Sequence, residues 1–125
     1  MRAYTVATVA VTLGVTSKWL DNALSRFPVR GVIQSRQGIR RRLGPQAVVT
    51  LHIACELNRL LGIPLGDAIS LAQRATTAGG VATISLFSSA SITVDVTATA
   101  REVGERLAQA VEVTPVPRRG RPPAK

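Results

Sequence analysis

The sequence predicts a mainly α fold with small β elements (α+β), and three observations lead to it. Apolar residues recur at three- and four-residue spacing in successive stretches closed off by threonine, proline and glycine. An arginine-rich segment with glycine punctuation and no acid, from about residue 29 to 43, interrupts those stretches. Beyond Gly79-Gly80 the apolar period drops to two, the spacing of a strand with one buried face.

The first helix is expected where Val6, Val9, Ala10 and Leu13 share one face, capped by Thr5 and ended by a left-handed Gly14. Its β-branched residues favour strand by local propensity, so the next segment decides the assignment. There Thr16 caps a second helix with an apolar stripe of Trp19, Leu20, Ala23, Leu24 and Phe27. Ser17, Lys18, Asp21, Asn22 and Ser25 fall on its polar side, and Pro28 stops it. Two short helices joined across Gly14-Val15-Thr16 make a helix-turn-helix, whose second helix can lie in a DNA major groove. Val32 and Ile33 then seed a strand that Gln34 to Gly38 turn back as a hairpin. With Arg30, Arg36, Arg40, Arg41 and Arg42 around it, that hairpin reads as a wing along a phosphate backbone.

Pro45 opens a longer helix, from about Gln46 to Leu61. Ala47, Val48, Leu51, Ala54, Cys55, Leu57 and Leu61 form its expected buried face, with His52, Glu56 and Arg59 as a polar stripe. Gly62-Ile63-Pro64 breaks it, and residues 65–75 form a short helix with Leu65, Ala68, Ile69 and Ala72 facing inward. Two alternating runs, Val81 to Phe87 and Ser91 to Val96, flank Ser88-Ser89-Ala90 and predict an antiparallel hairpin. Thr99 and Glu102 have capping-box spacing for a final helix carrying Val103, Leu107, Ala110 and Val111 on one face. A lone hairpin with one helix is marginal in water, so it must dock on the earlier helices or pair with its own copy. From Thr114 onward prolines interleave with arginines, a composition expected to be disordered in isolation. The chain thus divides into 1–78 (helix-turn-helix and wing), 79–113 (hairpin plus helix, a possible dimerisation unit) and 114–125 (basic tail).

Charge narrows the function. Sixteen Lys and Arg face seven Asp and Glu across 125 residues, for a net charge of +9. That charge is polarised into +7 over residues 1–62, −2 over 63–114 and +4 over 115–125. Clustered cations, 14 of the 16 being arginine, suit a polyanion whose counterions they release. Only 3% of residues are aromatic, which argues against single-strand stacking platforms and for duplex DNA. A single cysteine excludes an intramolecular disulfide, and Cys55 with His52 supplies only two corners of a metal site. No Ser/His/Asp arrangement or phosphate-binding loop is legible, so the expectation is a non-enzyme without cofactor or metal. No apolar run nears the roughly 18 residues of a membrane span, and no secretory signal is evident. The expected setting is therefore cytoplasmic and nucleoid-associated.

The order of several motifs resembles the MerR family of winged helix-turn-helix DNA-binding proteins. Tyr4-Thr5-Val6 enters helix one, Leu13-Gly14-Val15-Thr16 makes the turn and Leu20 anchors helix two. Gly38 precedes Arg41-Arg42-Leu43-Gly44-Pro45-Gln46, similar to the family's wing exit. Leu60-Leu61-Gly62-Ile63-Pro64-Leu65 with Ala68-Ile69 is similar to its next helical junction. The resemblance covers about residues 3–75 and implies double-stranded DNA binding by a transcriptional regulator; a homodimer is expected separately, from the exposed strand edge of the 81–112 hairpin and helix. Asp21 and Asn22 stand where the family usually has an arginine and an aromatic, and Leu43 where tyrosine is common. The family's coiled-coil, effector-binding C-terminal region has no counterpart, so no small-molecule effector is evident. Separately, Arg119-Gly120-Arg121-Pro122, preceded by Arg118, resembles an AT-hook, whose glycine lets flanking arginines enter a narrow A·T minor groove.

The expected DNA-contacting residues are Thr16, Ser17, Lys18, Asn22 and Arg26 of helix two, with Asn22 suited to adenine. Arg30, Arg36, Arg40, Arg41 and Arg42 are expected on phosphate, and Arg118, Arg119, Gly120 and Arg121 in a minor groove. Two other readings use the same residues differently. One is an excisionase-like or nucleoid architectural factor with little sequence choice, and the other a protein-interaction adaptor acting through residues 81–112.

Overall fold

The computed structural model describes residues 3–33 and 40–113. The expected turn at Gln34 to Gly38, with Arg36, and the tail with Arg118, Arg119, Gly120 and Arg121 lie outside the described residues. The chain runs β1 (Tyr4–Thr5), α1 (Val6–Leu13), α2 (Ser17–Arg26), β2 (Val32–Ile33), β3 (Arg42–Leu43) and α3 (Pro45–Leu61). It continues through α4 (Leu65–Ala78), β4 (Val81–Phe87), β5 (Ala90–Asp95) and α5 (Val96–Val113). The fold is mainly helical α+β, as the periodicity predicts.

Local chemistry fixes the first turn. The Thr5 hydroxyl accepts from the Thr8 N–H at 3.2 Å and Gly14 closes α1 at φ 74°, the left-handed cap expected of it. Thr16 then accepts from the Trp19 N–H at 3.0 Å and starts α2, while Leu20 is fully buried beneath it. Trp19 is half-buried and packs against the core, as its spacing predicts.

A three-stranded sheet follows, in the order β1-β3-β2. Tyr4 and Val32 both register with Leu43, and Thr5 and Ile33 with Arg42. The sequence predicts a hairpin here; the third strand is an addition, because two residues directly before a helix carry no alternation to read. Gly31 makes the approach of this sheet to α3 possible. Its φ of 91° is a left-handed value, and a Cβ there would meet the Ala47 Cβ at 3.2 Å. The Gly44 N–H donates to the Gly31 carbonyl at 2.9 Å, locking the two sides of the sheet.

Helix α3 is the hub, packed against α4, α5 and α1. Val48, Leu51 and Ala54 are essentially inaccessible. Two expectations for this helix need correction. Leu61 is 62% exposed, because burial ends at Leu57 and the last turn runs past the packed helices. His52 is buried instead of lining a solvated stripe, because α5 covers that side of α3 and brings Glu102 and Arg106 toward it. Cys55 is half-buried.

The hairpin forms with Ala82 opposite Val94 and Ile84 opposite Ile92. The final helix begins earlier than the capping-box spacing predicts. Asp95 is the effective cap, its carboxylate accepting from the Ala98 N–H at 2.9 Å, so α5 starts at Val96. Thr99 already lies in the helix, and its hydroxyl donates to the Asp95 carbonyl. Val111, expected inward, is 37% exposed. Residues 79–113 do not stand apart: Ala82, Ile84, Val96, Val103 and Leu107 share one apolar core with Val9, Leu20 and Leu51. No helix among the described residues is long and apolar enough to cross a membrane.

Candidate nucleic-acid interface

The outer face of α2 and the exit of the arginine-rich segment meet. Ser17, Lys18, Asn22, Ser25 and Arg26 are exposed on α2, and Thr16 is exposed at its cap. Arg41 reaches this face from the residue before β3. Its guanidinium donates to the Asp21 carboxylate at 3.1 Å and to the Ser25 hydroxyl at 2.9 Å. Two donors of one planar fork thus bind successive turns of α2, four residues apart, which a lysine could not do. The side chain of Arg41 is only one-fifth exposed. Arg41 therefore acts first as a latch between α2 and the sheet, and its charge is already shared with a carboxylate.

Its neighbours are free of that role. Arg40 and Arg42 are exposed, Arg42 on the strand position opposite the fully buried Leu43 side. Arg26 lies 5.1 Å from the centroid of the Phe27 ring, which orients it at the C-terminal end of α2. Arg30 is drawn toward α4: its backbone N–H donates to the Gln73 side chain at 3.0 Å and its guanidinium to the Thr77 hydroxyl at 3.4 Å. Gln73 also donates to the Pro28 carbonyl, so one side chain pins both ends of the α2–β2 connection.

The structure adds a residue the sequence reading does not single out. Arg74 of α4 lines the same shallow depression as Arg30 and Thr77, extending the basic surface to a third element. Its signal in sequence is faint, a lone arginine in a segment with mixed charge. The Asp21–Arg41 latch had no sequence signal at all, since its partners lie 20 residues apart. His52 is buried and Cys55 half-buried on α3. Burial lowers the His52 pKa below its usual 6.5 and pushes the Cys55 thiol up to about 11, leaving it an unreactive thiol. Among the described residues no three His, Cys, Asp or Glu side chains group as metal ligands.

Comparison with known proteins finds no matching family model, no matching curated protein and no matching solved structure.

Proposed function

We propose that the chain is a double-stranded DNA-binding transcriptional regulator built on a MerR-like winged helix-turn-helix. The observation that carries this reading is the joining of an exposed, acid-poor α2 face to the arginines of the β3 approach by the Arg41 fork. In this reading Ser17, Lys18 and Asn22 meet base edges, while Arg40, Arg42, Arg26 and Arg30 meet phosphate. Thr16 fixes the helix start, Arg36 would add a phosphate contact, and Arg118, Arg119 and Arg121 around Gly120 would enter an adjacent minor groove.

A second copy belongs to the proposal. The hairpin is two-stranded, and β5 is its outer member. Ile92 and Val94 of β5 point to the same face as the buried Ala82 and Ile84, yet remain half-exposed. A second β5 would cover them, and the strand carries no lysine or proline to repel one. Pairing about Thr93 would set Ser91 against Asp95 and so avoid like-charge contact. Sedimentation should give a dimer in solution or on duplex DNA; a monomer in both removes this part.

The test of the reading is binding to defined and random duplexes over a salt series. A regulator gives a large specificity ratio, which Asn22→Ala lowers by about 1–3 kcal/mol of base discrimination. Arg40→Ala and Arg42→Ala should each weaken all duplexes alike and flatten the salt slope. A small ratio with bent DNA would favour an architectural factor in its place. The adaptor reading draws on the hairpin tip, where Phe87 is 64% exposed; it requires that arginine substitutions leave activity intact.

A further inference from the structure

A cavity of about 300 Å³ lies between α3 and α5 and is not part of the α2 face. Its floor is apolar: Val49, Val96, Val103 and Leu107 are each less than a tenth exposed. The mouth opens between Gln46 of α3 and the small residues Ala100 and Gly104 of α5. An apolar cavity of about 150 Å³ is enough to admit benzene, so this one has room for two fused rings. No charged side chain among the described residues lines it, although the chain carries a net charge of +9. A neutral occupant follows from that lining, because an ion would lose its hydration without gaining a partner. Gln46 stands exposed at the rim, and its amide makes no hydrogen bond among the described residues, so one polar group of an occupant can be met there.

Gly104 lines the mouth of the cavity. It sits inside an 18-residue helix, where glycine costs about 0.5–1 kcal/mol relative to alanine. No neighbour requires it: a Cβ at Gly104 would meet nothing within 4 Å. A Cβ there stands in open space, so alanine leaves the mouth open and only a longer side chain reaches across it.

The cavity also borders the small sheet at its β1 edge. Tyr4 lines it, and Tyr4 registers with Leu43 in β3. Pro45, two residues beyond Leu43, lines it from α3. An occupant therefore contacts β1 and the first residue of α3, two positions past the strand whose approach carries Arg40 and Arg41.

We propose that this cavity binds a neutral, apolar one- or two-ring compound with a single hydrogen-bonding group, and that its occupancy shifts the sheet and so changes duplex affinity. The coupling rests on the DNA-binding reading; the binding site does not. A ligand that touches the sheet differently in its free and DNA-bound settings must alter DNA affinity, by the reciprocity of linked equilibria.

Indole and indole-3-carboxylate are suitable probes, titrated into the isotope-labelled full chain and followed by amide chemical shifts. Indole should saturate with a dissociation constant below about 1 mM, an affinity within reach of a ligand of its size. The perturbed amides should cluster at Tyr4, Val49, Val103 and Gly104, and the carboxylate should fail to saturate. Gly104→Leu and Ala100→Leu should abolish binding while the chain keeps its melting transition, and Gly104→Ala should raise the melting temperature. Absent saturation, equal binding of the carboxylate, or unchanged binding in both leucine variants would overturn the site. Saturating indole should then change duplex affinity by about fivefold or more. Unchanged duplex affinity removes the coupling alone, whereas no duplex binding without indole refutes the DNA reading and leaves the shift data standing.

Discussion

Polar side chains tie the first two-thirds of the molecule together across long sequence separations, while the last third docks on it mainly through apolar contact. Arg41 bridges to Asp21 and Ser25, Arg30 to Thr77, Gln73 to Pro28 and Thr50 to Thr76, all 16 or more residues apart. Beyond Gly79 the side-chain hydrogen bonds among the described residues are local: Thr83 with Thr93 across the hairpin, Ser85 with Phe87, and Asp95 with Ala98 and Thr99 at the helix start. Directional bonds fix orientation, whereas apolar packing fixes proximity and tolerates adjustment. The region expected to present residues to a duplex is thus the one whose geometry is specified most closely. The hairpin and α5 form a cover, and that cover borders the open cavity.

The largest effect tests whether the cover is part of the same folding unit. Leu107 of α5 is 3% exposed and belongs to the core that includes Leu20 of α2. Leu107→Ala should destabilise the chain by about 2–5 kcal/mol, as should Leu20→Ala, and each should leave one cooperative transition. Two separate transitions in calorimetry of the Leu107 variant would make residues 79–113 an independent unit and undo the comparison as drawn. A smaller loss belongs to Gly31, where the sheet of the first region meets α3. Gly31→Ala forces a left-handed residue to carry a Cβ against Ala47 and should cost about 1–3 kcal/mol. A melting temperature equal to wild type would show that the sheet can move away from α3 freely.

The two regions also differ in how much their sequence discloses. Helices α1 to α4 were legible because threonine caps, left-handed glycines and helical apolar spacing agree with one another. The β4–β5 hairpin was legible from period two. What escaped was set by contact at a distance. Tyr4 and Thr5 become a strand only because Leu43 and Arg42 return beside them. His52 is buried only because α5 crosses α3. At the candidate site the sequence marks exposed helix positions and an arginine run, yet gives Arg40, Arg41 and Arg42 the same role. Partner geometry separates them: Arg41 latches, while Arg40 and Arg42 remain exposed.

That latch permits a finer contrast. Both regions contain an ion pair near the surface, Arg41–Asp21 at 3.1 Å and Arg106–Glu102 at 2.8 Å. The second lies within one helix turn and should contribute about 0.3–0.5 kcal/mol. The first spans two elements and recruits Ser25, so a double-mutant cycle on Asp21→Ala and Arg41→Ala should give coupling near 1 kcal/mol, toward the upper end for exposed pairs. Asp21→Ala should further broaden amide signals of both α2 and β3, whereas Glu102→Ala should perturb α5 alone. Equal coupling in the two cycles, with perturbation confined to α2, would reduce the latch to an ordinary surface pair.

The smallest effect lies at the seam between the regions, where α3 carries His52 against α5. Burial is the main cause of its lowered pKa, opposed by Glu56 on its own helix and Glu102 across the seam, and assisted by Arg106 and Arg59. In the folded chain the imidazole therefore stays neutral below pH 6.5, while the unfolded chain binds a proton near that pH. Where the unfolded state holds more protons, stability rises with pH. The His52 contribution is accordingly complete above about pH 6.5 and is lost as pH falls through the lowered folded value. Denaturation midpoints at pH 7.5, 6.5, 5.5 and 4.5 would be compared between wild type and His52→Leu, because carboxylates add their own slope at the acid end and only the difference belongs to the imidazole. The difference should be flat above 6.5 and should shift against wild type below it. An identical acid slope in both chains would mean that α5 lifts away from α3 and lets His52 charge in water, so the cover would be looser than its burial implies.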